Sequence, residues 1–184
     1  ENTTSMSIAD SEGNMICLTQ SLGSPYGSGV MIPGTGVILN NFLNWADLNP
    51  ASPNALHPGK RMAMCLAPSI STRGGKGILA LGTPGSYGIL QTQVQAMVGH
   101  VDFGLDIQAA IEMPRARLWD GKQIYLERRV PHSVCVELSA RGHDIVLLPE
   151  YSWRTGGMQA VSRDPDSGAL AGGADSRRDG AVIP

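Results

Sequence analysis

Glu1-Asn2-Thr3-Thr4-Ser5-Met6-Ser7-Ile8-Ala9 runs through Asp10-Ser11-Glu12-Gly13-Asn14 into Met15-Ile16-Cys17-Leu18-Thr19-Gln20. Residues 5–9 and 15–20 read as the two strands of a hairpin, and Glu12-Gly13-Asn14 supplies the positive-φ residues such a turn needs. Period-two alternation then points Thr19 and Ser21 to one face. The threonine pair at the head of the first strand carries the chemical interest. A threonine hydroxyl is a poor nucleophile until a base sits beside it, and the nearest base is the residue's own α-amine, which titrates at about 7.7–8.0 when free. The nitrogen of Thr3 is held in the Asn2–Thr3 peptide bond, so the chemistry requires that bond to be cut. A chain with two residues ahead of Thr3 therefore reads as a precursor rather than an active form. Thr-Thr is also ordinary strand material, since β-branched residues pack well there.

Outward from the hairpin, Gly23 to Gly36 is a Gly- and Pro-rich loop feeding a short apolar run, Val37 to Leu39. Residues 46–61 form a second long loop. Ile78 to Leu81 reads as a buried strand, and Pro84 opens a helix running to about His100. Residues 107–113 and 131–140 read as two further helices. Residues 145–148, 158–162 and 169–172 read as strands closing the sheet. There is no internal repeat and no linker composition, so residues 1–184 read as one domain. Pattern alone gives a mixed α+β class.

Composition narrows the function classes. Charged residues make up 16% of the chain, against about 25% in an average soluble protein. So little charge implies burial against a partner. A net charge of -2 without a basic cluster leaves no electrostatic footprint for nucleic acid. No run of eighteen apolar residues is present, so this chain inserts no helix into a membrane. His57, His100, His132 and His143 lack metal-ligand spacing, and Gly27-Ser28-Gly29 lacks the third glycine and βαβ setting of a dinucleotide fingerprint. Neither metal nor cofactor is expected. Cys17, Cys65 and Cys135 sit in apolar settings and read as buried reduced thiols.

A series of motifs accompanies the threonine pair: Ser21-Leu22-Gly23, Tyr26-Gly27-Ser28-Gly29, Gly36-Val37-Ile38-Leu39-Asn40-Asn41, Pro53-Asn54, Pro58-Gly59-Lys60-Arg61, Ala67-Pro68-Ser69-Ile70, Gly82-Thr83-Pro84-Gly85-Ser86, Pro114-Arg115 and Ala174-Asp175-Ser176-Arg177-Arg178-Asp179-Gly180-Ala181. In this order and at these separations the chain resembles the small, catalytic subunit of the γ-glutamyltranspeptidase family. The resemblance implies a four-layer αββα sandwich of the N-terminal-nucleophile hydrolases, with this chain supplying the C-terminal half. It implies Thr3 as the nucleophile after autocleavage, Thr4 as a supporting hydroxyl, and Ser21 as the match of a family threonine that contacts the nucleophile. Thr19, on the same strand face, joins them as a catalytic candidate. The Gly85 and Ser86 amides become candidates for an oxyanion hole, where the family carries two glycines. A large subunit from the same precursor is the implied partner, and a small amide the implied substrate. Arg177-Arg178-Asp179 reads as a structural ion-pair cluster.

The departures from the family pattern bear on specificity. After Asn41, the glutamine and acidic residue that hold a glutamyl α-amino group are Phe42 and Trp45, and the serine pair that holds the α-carboxylate is Met64 and Cys65. Such side chains cannot satisfy an ammonium and a carboxylate by hydrogen bonds, and leaving those charges unpaired in a pocket costs several kcal/mol. Ser5 stands where a histidine is usual and Gly23 where an asparagine is. The leading expectation is an autoprocessed amidohydrolase or acyltransferase with altered acyl specificity. A cephalosporin-acylase-like or other small-amide hydrolase and an uncleaved, non-catalytic relative stand as alternatives. Any secretion signal would belong to the upstream subunit; a cytoplasmic location is favoured and localisation stays open.

Overall fold

The structure, a computed structural model, describes residues 2–184. Along the chain run β1 (Asn2–Ala9), β2 (Met15–Gly23), β3 (Ser69–Arg73), β4 (Lys76–Gly82), α1 (Ile89–Val101) and α2 (Ile107–Glu112). They are followed by β5 (Ala116–Asp120), β6 (Gln123–Glu127), α3 (His132–Ala140), β7 (Asp144–Leu148), β8 (Gln159–Arg163) and β9 (Leu170–Ala174).

The β1–β2 hairpin is closed by Asp10, whose carboxylate accepts from the Glu12 and Asn14 amides and from Asn14 Nδ2. Those hydrogen bonds lower its pKa, the Asn14 side chain contributing most. Burial alternates along β1 and along β2 as far as Ser21. Thr3, Ser5, Ser7, Cys17, Thr19 and Ser21 are half-buried on the inner face. Met6, Ile8, Ile16 and Leu18 are exposed on the outer one. The usual partition of a one-sided sheet, apolar in and polar out, is inverted here.

The inner face lies on the antiparallel sheet β3-β4-β8-β9. The far side of that sheet is the hydrophobic core, where Leu79, Leu81, Met158 and Ala160 pack against Ala96 of α1 and Ile107 and Ile111 of α2. Each large aliphatic side chain buried there contributes about 1.5–3 kcal/mol. The layer order is thus hairpin, sheet, helices. A third sheet, β5-β6-β7 with β6 and β7 parallel, carries α3 beside this stack.

A buried ion cluster joins that third sheet to the segment after β9. Arg115 meets Asp175 at 2.7 Å, and Arg177 meets Glu127 at 2.6 Å and Asp175 at 3.1 Å. Arg129 reaches Glu127 at 3.1 Å. Glu127 also accepts from Ser152 N, Arg115 N and Thr155 Oγ1. Burial alone would raise the Glu127 carboxyl, but the Arg177 contacts and backbone amides hold it below its ordinary value. Burial likewise opposes ionisation of Asp175, and Arg115 with Arg177 outweighs it. Burial pulls the Arg115 guanidinium down to about 10 although Asp175 opposes the change. Arg177 thus has the structural role expected from sequence.

Several expectations need correction. Residues 144–148 close no part of the main sheet; they pair in parallel with β6. The helix expected from Pro84 begins only at Ile89, because Gly85 at φ 143° and Ser86 at φ 54° leave helical geometry. The apolar run Val37 to Leu39 makes one isolated bridge, Ile38 to Met31. Cys17 is half-buried beside Ser7, whereas Cys65 and Cys135 are buried, and none of the three forms a disulfide. Strands β3, β5 and β6 were not anticipated.

Candidate active site

The first four residues of β1 and the end of β2 build the centre of the site. Thr3 stands opposite Ser21 in the hairpin register, and its Oγ1 donates to Ser21 Oγ at 2.9 Å. Ser21 Oγ in turn donates to the Asn2 carbonyl at 3.1 Å and accepts from the Gly23 amide at 3.1 Å. One hydroxyl has one proton and two lone pairs, so Ser21 is fully used. It touches both partners of the reaction that the sequence suggests, the Thr3 hydroxyl and the Asn2 carbonyl. The register slips between Asn2 and Thr3, Asn2 facing Gly23 rather than Leu22. The Asn2–Thr3 peptide therefore sits at a β-bulge, the irregularity by which a strand re-aims its groups near active sites.

Two residues further along, Ser5 faces Thr19. Both hydroxyls are buried without a hydrogen-bond partner. They close on Gly82: a methyl group there would overlap Ser5 Oγ and stand 3.1 Å from Cys17 Sγ and 3.2 Å from Thr19 Oγ1. The small residue lets the hairpin settle directly on the end of β4. Thr4 is exposed. Gly23, at φ 88°, leaves room for the Asn41 side chain, whose Oδ1 accepts from Ser24 N at 3.0 Å and whose Nδ2 donates to Ser24 Oγ at 3.0 Å.

Gly82 leads into the Thr83-Pro84-Gly85-Ser86 turn. Thr83 Oγ1 accepts from the Gly157 amide at 3.1 Å, tying the turn to the neighbouring loop. Ser86 is buried and adopts the left-handed conformation that the second family glycine would adopt freely. The substitution noted from sequence is therefore compatible with the backbone, at a cost of about 1–3 kcal/mol in local strain.

Two cavities open beside Thr3. One, of about 390 Å³, runs from the inner face of β1 past Pro84 and Gly157 to the strip Arg178–Ile183. The other, of about 620 Å³, is walled by Ser21, Leu22, Val37 and Ile38. Thr3, Thr4 and Arg178 line both. Phe42 packs edge-on against Trp45 at 5.6 Å, and Trp45 stacks on Tyr87 at 5.0 Å, so this aromatic group abuts the Gly85–Ser86 turn. Phe42, Trp45, half-buried Met64 and buried Cys65 line neither cavity beside Thr3. Arg178 was missed as a site residue: the Arg-Arg-Asp triplet gives no sign that Arg177 turns into the ion cluster while Arg178 lines both cavities beside Thr3. Among the described residues no three His, Cys, Asp or Glu side chains converge as a metal site, and no helix is long and apolar enough to cross a membrane.

Comparison with known proteins finds relatives over the whole chain. The gamma-glutamyltranspeptidase family model matches residues 1–184. The acylase ACY 1 proenzyme of Pseudomonas sp. (strain SE83) is 37% identical over 99% of the chain, and the glutathione hydrolase proenzyme of Bacillus subtilis (strain 168) is 34% identical over 98%. The chain spans about a third of each relative's length, 32% and 30%. Among solved structures, cephalosporin acylase from Bacillus halodurans superposes with a TM-score of 0.89 at 36% identity, covering 97% of this chain and 33% of that one. A gamma-glutamyltranspeptidase chain from Pseudomonas nitroreducens, complexed with L-DON, superposes with a TM-score of 0.85 at 31% identity and 98% coverage of both.

Proposed function

The chain belongs to the gamma-glutamyltranspeptidase family and supplies the C-terminal half of its αββα N-terminal-nucleophile fold, and on that premise we propose that it is the catalytic part of a self-processing amidohydrolase or acyltransferase whose nucleophile is Thr3. The observation that carries the reading is the Ser21 hydroxyl, bonded to Thr3 Oγ1 at 2.9 Å and to the Asn2 carbonyl at 3.1 Å. In processing, Thr3 Oγ1 bonds to the Asn2 carbonyl carbon and the hydroxyl proton passes to the departing Thr3 nitrogen. The C–N bond breaks to leave an ester and a free Thr3 amine, and water then hydrolyses that ester to an Asn2 carboxylate and a restored Thr3 hydroxyl. The Ser21 proton on the Asn2 oxygen favours the attack by stabilising the negative charge that develops there.

In turnover the freed amine takes the Thr3 hydroxyl proton as Oγ1 attacks a substrate amide. The Gly85 and Ser86 amides stabilise the tetrahedral oxyanion. The amine product leaves with a proton, and water or an acceptor amine releases the acyl group. Thr4 and Thr19 support the strand that carries the nucleophile.

The partner in this reading is a larger subunit from the same precursor. Relatives three times as long support it, as does the exposed apolar face of Met6, Ile8, Ile16 and Leu18. The chain holds three layers of the sandwich, and that face lies where the fourth, helical layer belongs. For the substrate, the family positions whose polar side chains hold a glutamyl head are here Phe42, Trp45, Met64 and Cys65, which line neither cavity of this chain beside Thr3; their apolar character supports an acyl group without an amino-acid head. The similarity to an acylase and a cephalosporin acylase favours the same side. The test is kinetic: the processed protein should turn over simple acyl amides better than γ-glutamyl amides, and Phe42→Gln with Trp45→Asp should move kcat/KM toward γ-glutamyl substrates. Efficient γ-glutamyl transfer by the unaltered protein would refute the specificity reading and leave the nucleophile reading intact.

A further inference from the structure

We propose that Arg178 tunes the base of the reaction: its guanidinium holds the freed Thr3 α-amine in the neutral form at neutral pH. The proposal rests on the reading of Thr3 as the processed nucleophile. A free α-amine titrates at about 7.7–8.0, so at pH 7 it is mostly an ammonium and cannot accept the hydroxyl proton. A fixed positive charge nearby disfavours the ammonium and lowers that pKa. Arginine suits the purpose because it stays charged throughout the working range.

Among the described residues, Arg178 is the one cation lining the two cavities that flank Thr3. Its stem fills the space left by Gly157, where a methyl group would stand 2.8 Å from Cγ and 3.0 Å from Cβ. Its NH2 donates to the Trp153 carbonyl at 3.1 Å, and the guanidinium lies 5.9 Å from the Trp153 ring centre. The charge is therefore built into a slot rather than carried on a loose surface side chain.

The other charged groups nearby are accountable. Asp179 lines the smaller cavity and opposes Arg178. On the hairpin's inner face the other ionisable group is the Cys17 thiol, two register steps deeper beside Ser7. Arg115, Glu127, Asp175 and Arg177 pair with one another and line neither cavity. On the strands and turn packed against β1, the side chains that line the cavities are uncharged.

The experiment is the pH profile of kcat/KM for an uncharged acyl anilide, measured on processed enzyme from the whole precursor, with cleavage checked by intact mass. Arg178→Gln should move the acidic limb up by about half to one unit, Arg178→Lys should leave it in place, and Asp179→Asn should move it down. A cleaved, active Arg178→Gln enzyme whose rate falls equally at every pH overturns the proposal, because that pattern belongs to a merely structural role. If Arg178→Gln is not cleaved, Asp179→Asn decides, and an unmoved limb overturns the proposal. Failure of the underlying reading looks different: a wild-type precursor that is never cut, or activity that survives Thr3→Ala, removes the nucleophile and this proposal with it.

Discussion

Two polar regions are buried in this molecule, and they are built on opposite rules. Around Glu127, all four carboxylate oxygens of Glu127 and Asp175 are engaged by guanidinium groups, with Arg115 Nε left without a hydrogen bond, across β6, the segment before β5 and the segment after β9. Under the hairpin, Thr3 and Ser21 are bonded, but Ser5 and Thr19 bring buried hydroxyls together without a partner. A fully satisfied network rigidifies a fold, whereas a partly satisfied one carries a cost that a purely structural region would avoid. The same two strands, β4 and β8, present an aliphatic core on one face and this hydroxyl-rich seam on the other. Stability resides on the first face and beside it; chemistry is assigned to the second.

The strongest way to break this contrast is Glu127→Gln. It leaves Arg177 and Arg129 facing an uncharged group in the interior, and loss of one member of a buried pair costs about 3–5 kcal/mol. Urea unfolding of the whole processed protein should register that loss; an unchanged midpoint would mean that the cluster is not what holds the two segments together.

The pH dependence sharpens the same point. Glu127 and Asp175 have folded pKa values below their ordinary ones. Their contribution is therefore fully present above the unfolded carboxylate range, about 3.9–4.3, and disappears as pH falls through the lower folded values. The wild-type urea midpoint should fall steeply below about pH 4, and Glu127→Gln should fall less.

On the hydroxyl face, Gly82→Ala should cost about 1–3 kcal/mol by overpacking and slow cleavage as the hairpin lifts from β4. Ser5→Ala in the same chain should restore much of both, since Ser5 Oγ is the atom overlapped. Absence of any rescue would show that the Gly82 contact does not set the hairpin height. Ser86→Gly should gain about 1 kcal/mol by relieving the positive φ, read as a rise in Tm. The smallest stability effect belongs to Thr19→Val, within about 1 kcal/mol, because the hydroxyl it removes has no partner to strand; a large loss would reveal a hidden structural role.

The hairpin was legible because its turn chemistry and its alternation agree, and the register that follows brings Ser21 opposite Thr3. Strands β3 and β4 are joined by Gly74-Gly75, and β5 and β6 by Gly121-Lys122 after Asp120. Both are two-residue hairpin signals, and they lay unread because the short flanking runs, such as Ser69–Arg73, carry little hydrophobic contrast. The helix start was misplaced because Pro84 is a good first-turn residue locally, while the positive φ at Gly85 and Ser86 is a demand of the tertiary turn. Arg177 was legible as an ion-pair residue, but its partners and the place of Arg178 were not: Arg115, Glu127 and Asp175 lie far apart in sequence and meet only through the packing of three segments.

The central claim is that the chain cuts itself with its own Thr3 hydroxyl. Intact-mass analysis of the purified full precursor, wild type beside Thr3→Ala, tests it directly. The account predicts a wild-type fragment beginning at Thr3 and a single uncut Thr3→Ala chain without activity; cleavage of Thr3→Ala at the same bond, or activity in a wild-type chain that stays whole, would contradict it.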